Sequence, residues 1–260
     1  GQSVVAENMR RLTEDSEIIE TFKKNRVQDA YSLRCLPQVH GTSRAALNYV
    51  LDKAKIEINS VTDNPIVFHK DGEAISGGNF HGQPMAMAMD FFGIAVAEIA
   101  NISERRIARL VDHKMSDLPP FLVTESGVNS GFMIPQYTAA AIVSENKVLA
   151  HPSCVDSIPT SAGQEDHVSM GGYSARKGLS ILNNTQRVIA IEMLNAAQGM
   201  DFRAPLKPGK GTAAAFKAYR EDVPFYDKDQ YMQPLMLKSL ELVKSGKIID
   251  AVEKEIGELK

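Results

Sequence analysis

The chain has 260 residues, of which 43% are hydrophobic and 23% charged, and its formal net charge is −3. This is an ordinary globular composition, long enough to bury a large core as one big domain or two small ones. Acidic and basic residues are well mixed, so no basic stripe indicates nucleic acid and no polybasic or lipidation pattern indicates a membrane.

Helical periodicity dominates the first half of the chain. Residues 4–24 carry apolar side chains at helical spacing, with a break at 13–16, and residues 42–59 repeat them three and four apart. Residues 83–111 predict a helix about 42 Å long. Its first half is apolar on nearly all sides, which is typical of a central bundle helix wrapped by neighbours. Its charged second half, at 103–106, is expected to meet solvent or another subunit.

Strand signal is confined to residues 65–75, where two short apolar runs flank an Asp71-Gly72 turn and predict one hairpin. Further helices are predicted over 138–150 and 186–199, and two more over 235–259, divided near Ser245-Gly246. The sequence therefore predicts an all-α fold, a bundle of long helices with at most one small β-hairpin. Cys35 and Cys154 have no CxxC spacing and are predicted to be free thiols of a reducing cytoplasm.

Three polar side chains recur at a spacing of three in residues 26–35. On a helix, Gln28, Tyr31 and Arg34 would share one face. An arginine beside neutral hydrogen-bonding groups suits a planar carboxylate, which it can hold with two hydrogen bonds. A solvated helix face with chance spacing is the alternative.

A glycine-rich segment, residues 76–82, precedes the long helix. Asn79 is predicted to cap that helix, which would place Phe80 at its N-terminus. A plain junction between loop and helix is the alternative. Residues 59–65, rich in turn formers, fit a substrate loop or an ordinary turn equally well.

Residues 160–172 place Glu165, Asp166 and His167 side by side among small residues that allow a close approach to a ligand. Ion pairs or a buried polar network could explain such a cluster in any protein. None of the remaining histidines has metal-ligand spacing, and the sequence predicts no metal site.

Taken together, these segments resemble the histidine ammonia-lyases, a branch of the aromatic amino acid ammonia-lyases. The segments that carry the resemblance, in the family's order, are residues 26–41, 59–65, 76–81, 121–123, 130–133, 144–147 and 156–170. It extends to about Arg203. The Gln-Glu-Asp-His-Val-Ser form at 164–169 is similar to the histidine-specific branch.

The resemblance implies a helical, tetrameric fold related to fumarase and aspartase. It implies a carbon–nitrogen lyase that eliminates ammonia from L-histidine to give urocanate, the first step of histidine degradation. The family's electrophile, methylidene-imidazolone (MIO), forms from an Ala-Ser-Gly triad that this sequence lacks. Residues 1–260 are therefore expected to be a helical C-terminal portion, inactive without an N-terminal half.

The resemblance also implies roles for individual residues. Arg34 is expected to hold the substrate carboxylate with help from Tyr31, and Gln28 to hydrogen-bond near the electrophile or amine. Phe80 is expected to line the site, and Glu165 to face the imidazole or the β-carbon. Tyr31 and Glu165 are the expected catalytic residues, with Asp166 and His167 as supports.

Two other functions remain open from the sequence. One is a phenylalanine or tyrosine ammonia-lyase or aminomutase, against which the charge of Glu165 argues, since a carboxylate suits imidazole better than phenyl. The other is a non-catalytic helical partner subunit. For a histidine ammonia-lyase the expected partners are L-histidine, the N-terminal half and further copies of the chain, and no nucleic acid or membrane. The expected location is the cytoplasm.

Overall fold

The fold consists of eleven α-helices and one two-stranded sheet, in a computed structural model that describes residues 1–260. The helices are α1 Gln2–Leu12, α2 Glu17–Phe22, α3 Tyr31–Arg34, α4 Leu36–Ile58, α5 Gln83–Val111, α6 His113–Ser116, α7 Met133–Leu149, α8 Gly171–Asp201, α9 Lys210–Arg220, α10 Gln233–Ser245 and α11 Lys247–Ile256. Strands β1 Ile66–Phe68 and β2 Glu73–Ile75 pair antiparallel. The predicted all-α class with a single hairpin is confirmed.

Local signals placed several boundaries as predicted. Ser16 accepts a hydrogen bond from the Ile19 N–H and so caps α2, which explains the break after α1. Gly246, with φ of 77°, separates α10 from α11. Gly72, with φ of 68°, lies in the hairpin turn. Helix α5 has the predicted bounds.

Other boundaries differ from the prediction. Helices α4, α7 and α8 begin earlier, at Leu36, Met133 and Gly171, and α9 was not predicted. The first turn of α8 contains Gly171 and Gly172, whose helix propensity is poor. Tertiary packing stabilises such turns, and a local pattern does not report that packing.

The chain divides into two compact units. The first unit comprises residues 1–42, 98–145 and 183–260, and the second comprises 43–97 and 146–182. The first unit has a core of large side chains. That core contains Val111, Leu118, Leu122, Phe132, Leu194, Ala197, Tyr219, Val223, Tyr226 and Leu242. Within it, burial raises the pKa of Tyr219 to about 12, and its hydroxyl donates to Ser239.

Several small residues are buried in the core of the second unit. Ala86, Ala88 and Ala95 of α5 are buried. A Cβ at Gly93 would lie 3.2 Å from Ile181 of α8, and one at Gly178 would lie 3.1 Å from the ring of Phe92. Helices α5 and α8 therefore approach closely, because small residues line their contact.

One prediction about α5 was wrong and a second was wrong in part. Its first half is not wrapped on all sides, because Met87, Phe91 and Ile94 are exposed in the chain. In its charged second half Ser103 and Glu104 are buried, whereas the Arg105 side chain is 61% exposed, as predicted. Hydrogen bonds from the side chains of Arg105 and Gln136 to the Glu104 carboxylate offset the cost of its burial.

Helix α5 is also the one helix long and apolar enough, by length and composition, to cross a membrane. A core helix of a globular protein meets the same criteria, so this is weak evidence.

Candidate active site

Tyr31 and Arg34 lie in the first unit, on the single turn of α3. The Arg34 guanidinium lies over the Tyr31 ring, 4.6 Å from its centroid, and the Tyr31 side chain is 70% exposed. Gln28 precedes the helix, because Ala30 is extended with ψ of 157° and α3 begins only at Tyr31. The prediction that all three share one helix face was therefore wrong for Gln28.

An ion pair between Arg106 and Glu192, which the sequence did not predict, contacts the backbone of α3. Arg106 donates through Nη2 to Glu192 Oε2 at 2.9 Å and through Nε to the other carboxylate oxygen. Ser103 donates to the same carboxylate at 2.5 Å. The Arg106 Nη1 lies 3.4 Å from the carbonyl of Ser32, between the two candidate residues of α3. Glu192 lies far away in sequence, so no local pattern signals this pairing.

Phe80 lies in the second unit, on the segment before α5, and its side chain is 54% exposed. The Asn79 amide donates to the carbonyl of Val61. The Asn64 side chain accepts from Ser76 Oγ and Gly77 N–H, each at 3.1 Å. These contacts join residues 59–65 to residues 76–82.

An open cavity of about 380 Å³ lies beside Phe80. It is lined by Ala54, Glu57, Ile58, Thr62, Asn79, Phe80, His81, Gly82 and Met85. The prediction that Asn79 caps α5 was wrong, since its side chain is engaged with Val61 instead. The first N–H of α5, at Gln83, donates to His81 Nδ1 at 3.3 Å.

Glu165 also lies in the second unit, on a tight turn. Its backbone pairs with Thr160 across Ser161, Ala162 and Gly163, all of which have positive φ. Its exposed carboxylate accepts a hydrogen bond from the Thr160 hydroxyl. Hydrogen bonds from Thr160 and then Ser161 hold the pKa of Glu165 below its usual value, so the side chain is ionised at neutral pH.

A buried charged cluster, Asp90 with Ser174 and Lys177, fixes the start of the segment that carries Glu165. Asp90, 4% exposed, accepts from the N–H groups of Ser153 and Cys154 at 2.8 and 2.7 Å and from Ser174 at 3.0 Å. Its other carboxylate oxygen lies 2.8 Å from the Lys177 ammonium. Lys177 donates in turn to a backbone carbonyl of the same segment, at His151.

Both thiols are free, as predicted. Burial, and then the neighbouring Asp90, raise the pKa of the Cys154 thiol, so it stays protonated at neutral pH. Cys154 is therefore a packing residue. No group of three or more histidine, cysteine, aspartate or glutamate side chains is arranged to hold a metal ion.

The five candidate residues thus divide between the units. Gln28, Tyr31 and Arg34 form one group on and just before α3, and the structure brings Phe80 and Glu165 into one unit. Asp166 is exposed. His167 stacks on His81, next to Phe80, with ring centroids 5.4 Å apart.

The sequence is similar to histidine ammonia-lyases along its whole length. It is 54% identical to that of Natranaerobius thermophilus over 261 residues, covering 100% of this chain and 52% of the relative. It is 55% identical to that of Clostridium tetani, covering 98% of this chain and 50% of the relative. The chain therefore spans about half the length of the curated relatives it matches.

Solved structures give the same fold. Histidine ammonia-lyase of Trypanosoma cruzi has a TM-score of 0.90 and 45% identity, covering 99% of this chain and 48% of the other. Tyrosine aminomutase of Streptomyces globisporus has a TM-score of 0.91 and 34% identity, covering 100% and 53%. The family model for aromatic amino acid lyases matches residues 1–221. This chain belongs to the aromatic amino acid lyase family.

Proposed function

We propose that this chain is part of a histidine ammonia-lyase, which eliminates ammonia from L-histidine and releases urocanate. The observation that carries the proposal is the exposed, ionised carboxylate of Glu165 in a chain similar along its length to proteins of that name. An anionic group suits a ring that carries N–H donors, whereas a phenyl ring would offer it no hydrogen bond.

Arg34 binds the α-carboxylate of the substrate in this proposal. Its guanidinium is stacked on Tyr31 and is already oriented before a ligand arrives. A fixed planar fork loses little entropy when it forms two parallel hydrogen bonds to a carboxylate. The Tyr31 hydroxyl supplies a further donor or proton-transfer group beside that carboxylate, and the Gln28 amide a neutral hydrogen-bonding group for the amine.

Glu165 has one of two roles on the substrate. It pairs with the N–H of the imidazole, or it accepts the proton removed from the β-carbon. Either role requires an ionised carboxylate, which the hydrogen bond from Thr160 favours. Phe80 contributes an exposed apolar surface against which a planar ring can pack.

The electrophile would be methylidene-imidazolone, which activates the amine of the substrate as a leaving group. This chain has no Ala-Ser-Gly triad from which to form it. Phe80 nevertheless fits such a neutral planar group, since it offers an exposed ring against which the group can pack. The group would come from an N-terminal half, which accords with relatives about twice as long as this chain.

The assembled enzyme is proposed to be a cytoplasmic homotetramer in which each copy includes the N-terminal half. Residues 1–260 form the helical C-terminal portion. The partners are then L-histidine, that half and the other copies, with no role for nucleic acid or a membrane. The chain without the half is expected to be inactive.

A direct assay tests this proposal. The full-length enzyme should convert L-histidine to urocanate, followed by ultraviolet absorbance, with release of one ammonia per urocanate. The chain without an N-terminal half should release none. Faster turnover of tyrosine or phenylalanine than of histidine by the full-length enzyme would contradict the proposal. It would favour a phenylalanine or tyrosine ammonia-lyase or aminomutase. The similarity to tyrosine aminomutase is the observation that supports this alternative. Failure of all three amino acids would favour a non-catalytic subunit.

Glu165→Gln sharpens the test. In the full-length enzyme it should lower kcat/KM for histidine by roughly 100-fold or more, because it removes the charge that pairs with imidazole or accepts the proton. If Glu165 pairs with the imidazole, the same variant should eliminate ammonia from phenylalanine no more slowly than wild type does. Glu73→Gln, the same change at an exposed carboxylate of strand β2, is the matched control and should change histidine turnover far less. An equal loss on both amino acids would assign Glu165 to the common elimination step, and no loss on either would remove it from the site.

A further inference from the structure

His81 lies between the two segments of the second unit that carry candidate residues. It follows Phe80 in sequence and contacts His167, two residues beyond Glu165. The two imidazole rings stack with centroids 5.4 Å apart and planes inclined by 26°.

The hydrogen bonds of His81 define its tautomer. Its Nδ1 accepts the backbone N–H of Gln83 at 3.3 Å, so Nδ1 carries no proton. Its Nε2 lies 3.1 Å from the carbonyl oxygen of His167, a group that can only accept. The neutral ring with the proton on Nε2 satisfies both contacts. His81 thus links the first N–H of α5 to the backbone of the segment that carries Glu165.

Contacts within the segment that carries Glu165 hold it together as a unit. The Val168 N–H donates to Ser157 Oγ at 2.9 Å, and Thr160 pairs with Glu165, so residues 157–168 are held as one loop. A Cβ at Gly82 would lie 3.1 Å from Ser169 Oγ, which shows how closely the two segments approach. The hydrogen bond from His81 joins this loop to the segment of Phe80 at a point two residues from the carboxylate.

We propose that His81 is a positioning residue for the elimination reaction: through its hydrogen bond to the His167 carbonyl it fixes the loop that carries Glu165 relative to Phe80. This inference rests on the proposed function, in which Glu165 acts on the substrate. His81 itself does not touch the reacting atoms. A displacement of a reacting group by about 1 Å can cost roughly 100-fold in rate, so one such contact is enough to matter.

Two substitutions separate the two hydrogen bonds of His81. In His81→Asn the amide oxygen takes the place of Nδ1, so it keeps the contact to Gln83 but does not reach His167. In His81→Gln the amide nitrogen takes the place of Nε2, so it keeps the donor to His167. In the full-length enzyme, His81→Gln should retain kcat/KM within about threefold and His81→Asn should lose roughly 10- to 100-fold. His69→Asn, at an exposed histidine of the hairpin turn, is the control and should behave as wild type.

A role limited to capping α5 predicts the opposite order, with Asn better than Gln, and that result would overturn the proposal. A loss above tenfold in His81→Gln with an unchanged unfolding midpoint would do so as well. If His81→Asn does not fold, kcat/KM of His81→Gln still tests whether the hydrogen bond to the His167 carbonyl sustains the reaction.

A double-mutant cycle with Glu165→Gln supplies a readout that a merely structural role would not move. If His81 acts through Glu165, His81→Asn should have little further effect once Glu165→Gln is present, whereas independent effects would multiply. Multiplication of the two losses would overturn the positioning role. The cycle uses whichever amino acid the wild-type enzyme deaminates, so absence of histidine turnover overturns the proposed function and leaves this test intact.

Discussion

Arg34 and Tyr31 show how two neighbouring side chains prepare a site. The guanidinium stacks on the phenol ring, a contact worth about 0.5–1 kcal/mol at an exposed position. The larger effect is geometric, because stacking holds the plane of the fork that a carboxylate must meet.

Substitutions of Arg34 should therefore separate the contribution of its charge from that of its planar shape. In the full-length enzyme, Arg34→Ala should lower kcat/KM for histidine by about 30- to 1000-fold, the loss expected for one charge-assisted contact. Arg34→Lys should fall between that variant and wild type, because lysine keeps the charge but has no planar fork. Steady-state kinetics measure both, and wild-type values for Arg34→Ala would contradict the carboxylate role.

The site residues stay predictions, whereas the structure shows contacts that the sequence could not give. The candidates Tyr31, Arg34 and Glu165 are exposed and polar, as a ligand requires. Asn79 was misassigned because its partner, the carbonyl of Val61, lies across the hairpin and outside any local pattern. The cap of α5 comes from His81, a side chain with no strong preference for caps.

At the scale of elements, the Asp90–Lys177 pair holds two helices and a loop together. Both side chains are almost fully buried, at 4% and 6% exposed. Asp90→Asn should lower the free energy of unfolding by about 3–5 kcal/mol, because it leaves a buried ammonium without its partner. Urea unfolding measures this loss. The double variant with Lys177→Met should lose less than the sum of the two single variants, and strict additivity would exclude coupling of the pair.

The same pair predicts a pH dependence. Burial opposes ionisation of Asp90, but hydrogen bonds from Lys177, Cys154 and Ser153 outweigh it and hold the pKa below its usual value. The stability contributed by this group is therefore complete above the unfolded pKa of about 3.9 and is lost as pH falls through the lower folded pKa. Wild type should lose more stability than Asp90→Asn between pH 5 and pH 3, and parallel curves would contradict the assignment.

Elements with strong local signals were predicted, and those that depend on packing were not. Helix α5 has a long apolar run and the hairpin has an Asp-Gly turn, so both were placed well. The first turns of α8 begin with Gly171-Gly172, which no propensity favours. Helix α3 is a single turn, too short for a periodic pattern to define.

At the scale of the whole molecule, we propose that the chain associates through exposed apolar surface. Met87, Phe91 and Ile94 are spaced four and three apart, so they share one face of α5. Contiguous apolar patches beyond a few hundred Å² are uncommon on soluble monomers. Light scattering should show an oligomer at micromolar concentration, and Phe91→Glu should shift it toward monomer. Val67→Glu, at an exposed position of the hairpin, is the control. A compact monomer of the unaltered chain would contradict this prediction.

The turn before Glu165 has a consequence for how freely its sequence can change. Ser161 and Ala162 hold φ of 51° and 57°, a region that costs a residue with a Cβ about 1–2 kcal/mol. Exposure usually makes a loop permissive, but here the backbone restricts it. In a scan of all single substitutions, glycine and asparagine should be the favoured replacements at both positions. Valine, isoleucine and threonine should be the most depleted, although both positions are exposed.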